Sequence, residues 1–216
     1  MNTRRRFQRK RSSIRRQRSF QSAFRIALLI YPLLFSYSAT ADKAIFAGGC
    51  FWCMESDFEK LAGVNEVISG FTGGTLVNPT YNGDHTGHYE AVEIDYDPAK
   101  VSYQDLLDHF WINIDPFDDK GQFCDKGFSY LSAIFVKGDK QKNLAETSKE
   151  KVIKQFPNQK VVTPILATST FYPIKGNESG HQDYYKNNPL RYKYYRWGCG
   201  RDQRLHEIWG DPVNHE

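Results

Sequence analysis

Lys43-Ala44-Ile45-Phe46-Ala47-Gly48-Gly49-Cys50-Phe51-Trp52-Cys53-Met54-Glu55 passes from an apolar, strand-like run through a glycine pair into a segment with helical spacing. Phe58 and Leu61 repeat the apolar face, so a helix is expected from Phe51 to Leu61. Cys50 then stands near a helix N-terminus, where unpaired N–H groups and the macrodipole favour a thiolate over a thiol. Phe51 and Trp52 are large enough to wall an apolar pocket around that sulfur. The stretch reads as a reactive thiol built for a small, apolar reactant.

The pattern on either side is of strands alternating with helices. Val64 to Phe71 reads as a strand closing on Gly73-Gly74, and Asn78 to Gly87 as a turn-rich loop. His88 to Tyr96 alternates, with Glu90, Val92, Ile94 and Tyr96 on one face, and reads as another strand. Ser102 is placed to N-cap a helix through Leu106, Leu107 and Phe110. A long loop, Asp115 to Ser129, precedes a strand at Ser132 to Val136, a surface helix at Lys140 to Phe156 and a strand at Val161 to Ala167. From Thr170 onward the chain is aromatic and polar with little periodicity, apart from a short helix expected around His181 to Asn187. Such a tail packs only by wrapping the core. The expected class is α+β with a mixed sheet.

Charge is unevenly distributed along the 216 residues, whose net charge is +4. The first 41 residues hold about ten Lys and Arg and no Asp or Glu, which leaves the remainder about six charges negative. A nucleic-acid-binding domain is therefore not expected. The leader is basic to Arg25, apolar from Ile26 to Phe35, and ends in Ser38-Ala39-Thr40-Ala41 before Asp42. This is the layout of a secretory signal peptide, and its apolar run is short for a bilayer span. The expected organisation is a signal peptide over 1–41, then one domain over 42–216, exported to the periplasm or secreted, with no membrane attachment after cleavage. Organellar targeting, an uncleaved anchor and a cytoplasmic location are the alternatives.

Four cysteines, Cys50, Cys53, Cys124 and Cys199, are too few and too scattered for a disulfide-stapled small domain. Cys50 and Cys53 form a C-x-x-C pair, a spacing shared with dithiol redox sites. A second pair, which a tetrahedral zinc site would require, is missing, so no metal is expected.

Gly49-Cys50-Phe51-Trp52 resembles the signature of the A-type peptide methionine sulfoxide reductases. The likeness continues in register through Gly70-Phe71-Thr72-Gly73-Gly74, Asn78-Pro79-Thr80-Tyr81, Gly87-His88-Tyr89-Glu90-Ala91-Val92, Asp97-Pro98, the Asp125 to Ile134 segment and His181-Gln182-Asp183-Tyr184. These blocks cover nearly all of Ala44 to Pro189. The resemblance implies an α+β two-layer sandwich with a ferredoxin-like core, the catalytic cysteine starting the first helix and a C-terminal tail wrapping the core.

It also implies a reaction: reduction of methionine S-sulfoxide, free or in oxidised proteins, to methionine, in repair of oxidative damage. Cys50 would attack the sulfur and be left as a sulfenic acid. Phe51 and Trp52 match the pair that holds the methyl group. Glu90 matches a carboxyl kept protonated so that it can donate to the departing oxygen. Tyr81 and Tyr130 match hydroxyls that bond that oxygen, and Asp125 a supporting carboxylate. Cys199, in Trp197-Gly198-Cys199-Gly200, matches a resolving thiol that closes an intramolecular disulfide with Cys50. No bound cofactor is implied. Electrons come from an external thioredoxin-like dithiol, and the chain is expected to act as a monomer.

The sequence departs from this pattern in three places. Cys53 stands where many members have glycine, and is either a second resolving thiol or an inert helix residue. Leu131 replaces an expected arginine, and Gly180 stands where an aromatic is common. Cys124 reads as structural or as a spare thiol. The competing activity is thiol–disulfide exchange by Cys50 and Cys53; a non-enzymatic aromatic recognition surface is the third reading.

Overall fold

β1 (Asp42–Gly48) is the central strand of a six-stranded sheet in the structure, a computed structural model that describes residues 41–210. Apart from Ala41, the expected signal peptide lies outside the described residues. β1 leads into α1 (Phe51–Phe58), which crosses to β2 (Val64–Thr72); β2 pairs antiparallel with β3 (Tyr89–Tyr96), which lies between β2 and β1. α2 (Tyr103–Ile112) follows. Next comes a small hairpin of β4 (Gly121–Gln122) and β5 (Asp125–Lys126), and then β6 (Ser132–Val136), antiparallel to the other side of β1. These strands stand in the order β6-β1-β3-β2, the arrangement of a β-α-β-β-α-β ferredoxin-like core. α3 (Gly138–Gln155) returns the chain to β7 (Ile165–Ala167), parallel to β6, and β8 (Tyr172–Pro173) closes the opposite edge beside β2. The sheet is mixed, as expected.

Period-2 alternation decides which strand residues meet the helices. Ala44 and Phe46 of β1, Val92 and Ile94 of β3, and Ile134 and Val136 of β6 face α1 and α2, packing on Phe51, Met54, Phe58, Leu106, Leu107 and Phe110. Ile45, Ala47, Ala91, Ala133 and Phe135 form a smaller cluster on the other face. α2 starts as expected: Ser102 and Asp105 form a reciprocal capping box that satisfies two first-turn N–H groups.

The tail wraps the core but is not irregular. After a 3₁₀ turn (Gly176–His181) it forms α4 (Tyr184–Asn187), α5 (Pro189–Gly198) and α6 (Arg201–Trp209). The buried positions of α5 are Tyr192 and Arg196, and those of α6 are Arg201 and Leu205. Arginines take half of the inward helical positions, so the apolar period that announces a helix is absent. Two smaller corrections have local causes. The loop from Asp115 contains the β4–β5 hairpin, and the expected strand from Val161 is shortened to Ile165–Ala167. Gln182 ties the tail to the sheet, its amide bonding both Ser69 N–H and Ser69 C=O, and Ile174 C=O.

Candidate active site

Cys50 is the N-cap residue of α1 and is 6% exposed. The glycines before it are required by close contact. Gly49 has φ +83°, and a Cβ there would lie 2.6 Å from Gln122 Cβ. A Cβ on Gly48 would lie 2.4 Å from Met54 Sδ.

Glu90 is the second residue of β3, on the strand face turned to the helices, and only 2% of it is exposed. Its Oε2 accepts the Phe51 N–H at 3.1 Å, so it fills the place of an N-cap side chain for α1. Burial pushes its carboxyl up to about 8, with the Asp125 charge in the same direction and the Phe51 N–H opposing. At neutral pH it is a neutral acid beside the Cys50 sulfur.

The other expected residues gather around the same point. Tyr81 stacks on Phe51 with ring centroids 5.8 Å apart and lies 3.8 Å from the His181 ring; burial raises its hydroxyl to about 12. Glu178 fixes its loop by accepting the Tyr81 and Asn82 N–H groups. Tyr130 ends a 3₁₀ turn (Phe128–Tyr130) and feels the charges of Glu90, Tyr81 and Asp125. Burial and these carboxyls hold both phenols neutral, as donors. Asp125 sits on the hairpin, where burial raises its carboxyl. Phe51 is fully buried against Phe71 and Tyr81, whereas Trp52 is only partly covered, by Tyr184 (3.8 Å, stacked), His181 (5.5 Å) and the edge of Tyr195 (5.7 Å).

The thiols differ from expectation. Burial, the foremost cause, and the neighbouring Cys53 and Glu90 raise the Cys50 thiol well above its ordinary value. Desolvation thus outweighs the helix terminus. Cys53, one turn further on and 2% exposed, is instead lowered to about 7, by its hydrogen bond from Cys50 and then by Arg201 and Arg196. The two thiols titrate as a pair in which Cys53 is the more acidic member. Cys199 is not free: it caps α5 and is disulfide-bonded to Cys124 in the β4–β5 turn, with Cα atoms 4.8 Å apart. That pairing, not a spare Cys124, is what the fold brings together.

Residues that sequence reasoning left unassigned complete the environment. Asp57 of α1 is buried with Arg196 (2.8 Å) and Arg201 (3.7 Å), and Arg201 also donates to Asn113 C=O at 2.7 Å. Tyr195 bonds both the Cys50 sulfur and Asp125 Oδ2. His181 and Tyr184 belong to a block already noted for its resemblance. Tyr195, Arg196 and Arg201 carry no comparable signal, because an aromatic-basic stretch reads as surface.

A reduced thiol pair under a neutral carboxyl, faced by phenols and aromatic rings, agrees with the comparisons. A family model, "Peptide methionine sulfoxide reductase", matches residues 42–213. The chain belongs to the peptide methionine sulfoxide reductase family. It is a reductase of the A type, an oxidoreductase with redox-active cysteines. Peptide methionine sulfoxide reductase MsrA 2 of Caulobacter vibrioides is 49% identical over 172 residues, which are 78% of this chain and 86% of that protein. The Bacillus subtilis MsrA is 47% identical over 177 residues, 80% and 98% of the two chains. Among solved structures, the Corynebacterium diphtheriae reductase superposes with TM-score 0.61 at 30% identity, covering 69% of this chain and 76% of that one. Reduced Mxr1 of Saccharomyces cerevisiae gives 0.63 at 26%, covering 70% and 88%.

Proposed function

We propose that the reductase takes the S epimer of methionine sulfoxide, in peptides or free, with Cys50 as nucleophile and Glu90 as acid. The observation that carries this is the Glu90 carboxyl, neutral at physiological pH and hydrogen-bonded to the residue next to Cys50. A sulfoxide oxygen leaves only as it gains a proton, and Glu90 holds one at the right place. Tyr81 and Tyr130 bond that oxygen, and Trp52 with Phe51 encloses the methyl–sulfur end, where aromatic faces suit a polarisable group. Asp125 supports the sulfur side. Methionine departs and Cys50 becomes a sulfenic acid.

For resolution, the free thiol in contact with Cys50 is Cys53, and its thiolate character favours attack on the sulfenic sulfur. Cys199 enters later, with Cys124, as the couple that meets an external dithiol: Cys124 is exposed and Cys199 half-buried, while Cys50 and Cys53 are buried. A thioredoxin-like protein fits that exposed disulfide.

Export follows from the basic-apolar leader ending at Ala41, and the family match starting at Asp42 supports a boundary there. Sequencing the mature N-terminus tests it: a start at Asp42 is expected, and an intact leader overturns it. The chemistry is tested by incubating reduced protein with each sulfoxide epimer and mapping the disulfides by mass. Loss of thiols with the S epimer alone, and a first Cys50–Cys53 link, are expected. Unchanged thiol content would sink the assignment.

A further inference from the structure

α5 turns Tyr192 and Arg196 into the protein and sets Tyr195 against Trp52 and Asp125. Its opposite face carries Leu190, Tyr194 and Trp197, spaced four and then three residues apart, which brings them into one stripe. All three stand in solvent, 82%, 74% and 77% exposed, and the Tyr194 and Trp197 rings lie 6.2 Å apart. The other large apolar side chains exposed among the described residues, Val77, Phe128 and Ile153, are scattered over a loop, a 3₁₀ turn and α3. Single exposed apolar residues are ordinary, whereas a continuous stripe containing two aromatics has the composition of a protein-binding surface.

The stripe runs toward the redox couple. Trp197 stands two residues before Cys199, which caps α5 and is bonded to the exposed Cys124. The chain on either side of Cys199 is bare: a Cβ on Gly198 or Gly200 would meet nothing within 4 Å. A partner that reaches the disulfide over the helix end therefore meets the Trp197 indole with it, and the stripe continues that contact. Leu190, at the far end, is about 13 Å from Cys199 along the helix. An ordinary contact patch of about 800 Å² on each partner is about 16 Å in radius, enough to take in both.

We propose that the Leu190, Tyr194 and Trp197 face of α5 is the docking surface for the external dithiol protein that reduces the Cys124–Cys199 disulfide. This rests on that disulfide being the couple such a protein meets. The Arg196–Asp57 pair turns the inner face of α5 to α1, where Cys50 lies, so the stripe looks away from the sulfoxide pocket and suits the reductant rather than the oxidised protein. α5 carries Arg191, Lys193 and Arg196 and no acid, so the partner's matching face is apolar with neutral or acidic surroundings. Once docked, a partner thiolate attacks one sulfur of the disulfide, and the other leaves as a thiolate that takes up a proton. The partner's second thiol then displaces the mixed disulfide. The partner ends as a disulfide, and Cys124 and Cys199 hold the two electrons and two protons it gave up.

Steady-state reduction of a methionine S-sulfoxide peptide by the full chain, with thioredoxin or dithiothreitol as reductant, tests the surface. Leu190→Glu, and a combined Leu190→Ser, Tyr194→Ser and Trp197→Ser variant, change exposed side chains alone. KM for thioredoxin should rise roughly tenfold or more. Turnover with dithiothreitol, which needs no docking surface, should stay within about twofold of native, as should KM for the peptide. Leu190→Glu lies too far from Cys199 to alter the disulfide itself, so a raised thioredoxin KM in that variant reports docking.

An unchanged thioredoxin KM in both variants overturns the proposal, and so does an equal loss with dithiothreitol. A raised KM for the peptide, with thioredoxin unaffected, gives the face to the oxidised protein instead. Dimerisation of the native chain that the variants abolish, again with thioredoxin unaffected, gives it to a second copy. A native chain that dithiothreitol reduces and thioredoxin does not brings down the underlying reading of the electron donor, and the docking surface with it.

Discussion

The Glu90 carboxyl accepts the N–H of Phe51 at 3.1 Å, joining the start of β3 to the start of α1 across 39 residues of chain. The bond aims the acid at the neighbouring sulfur and supplies a partner that α1 otherwise lacks, since Cys50 makes no side-chain cap. Glu90→Gln retains the acceptor and loses the proton. Single-turnover rates should fall by roughly 10²–10⁴-fold. The native rate should decline as pH rises through about 8, and that decline should vanish in the variant.

Stability should carry the same signature. Glu90 and Glu55 are raised in the folded state, to about 8 and about 7, chiefly by burial. A raised carboxyl favours the fold fully below its unfolded value and loses that advantage as pH climbs to the folded value. Denaturant midpoints should therefore drop between about pH 4.5 and pH 8, and Glu90→Gln should flatten the curve at its upper end.

Cys53→Ser separates the first half of the cycle from the second. Its effect on one turnover of sulfoxide reduction should be small. Repeated turnover with a dithiol protein should fall steeply, and a persistent Cys50 sulfenic acid should be trappable by dimedone. Full turnover without Cys53 would show that Cys199 reaches Cys50 directly.

Arg201→Met removes the more distant of the two cations at buried Asp57 and the donor to Asn113 C=O, and should cost about 1–3 kcal/mol in urea denaturation. The same change removes a cation near Cys53, so the pH at which that thiol alkylates should move upward.

The Cys124–Cys199 disulfide closes a loop of 75 residues between the β4–β5 turn and the end of α5. The chain-entropy account gives it about 4.5 kcal/mol. Cys124→Ser should lower the denaturation midpoint of oxidised protein and make it insensitive to mild reductant.

The core was readable where local and global preferences agree. The glycine pair, the alternation of β3 and the Ser102 cap each have one physical cause, and each produced the expected element. Glu90 was readable only through resemblance: alone, a glutamate on an alternating strand reads as solvated. The tail was missed because Arg196 and Arg201 occupy inward positions, where a periodic pattern looks for aliphatic residues. The acidity of Cys50 was misjudged for a related reason. A helix terminus lowers a thiol in open solvent, but burial beside Cys53 and Glu90 reverses the sign.

The two thiols and the residues that enclose them come from opposite ends of the chain, α1 and the Gln182 to Trp209 segment. Synthesis runs in one direction, so Cys50 and Cys53 emerge more than a hundred residues before Tyr184, Tyr195, Arg196 and Arg201. Throughout that interval the sheet can form, yet the thiols stand open to solvent and oxidant. Enclosure is the last event in the maturation of the enzyme, and a nascent chain stalled before Tyr184 would display two reactive cysteines with nothing to protect them.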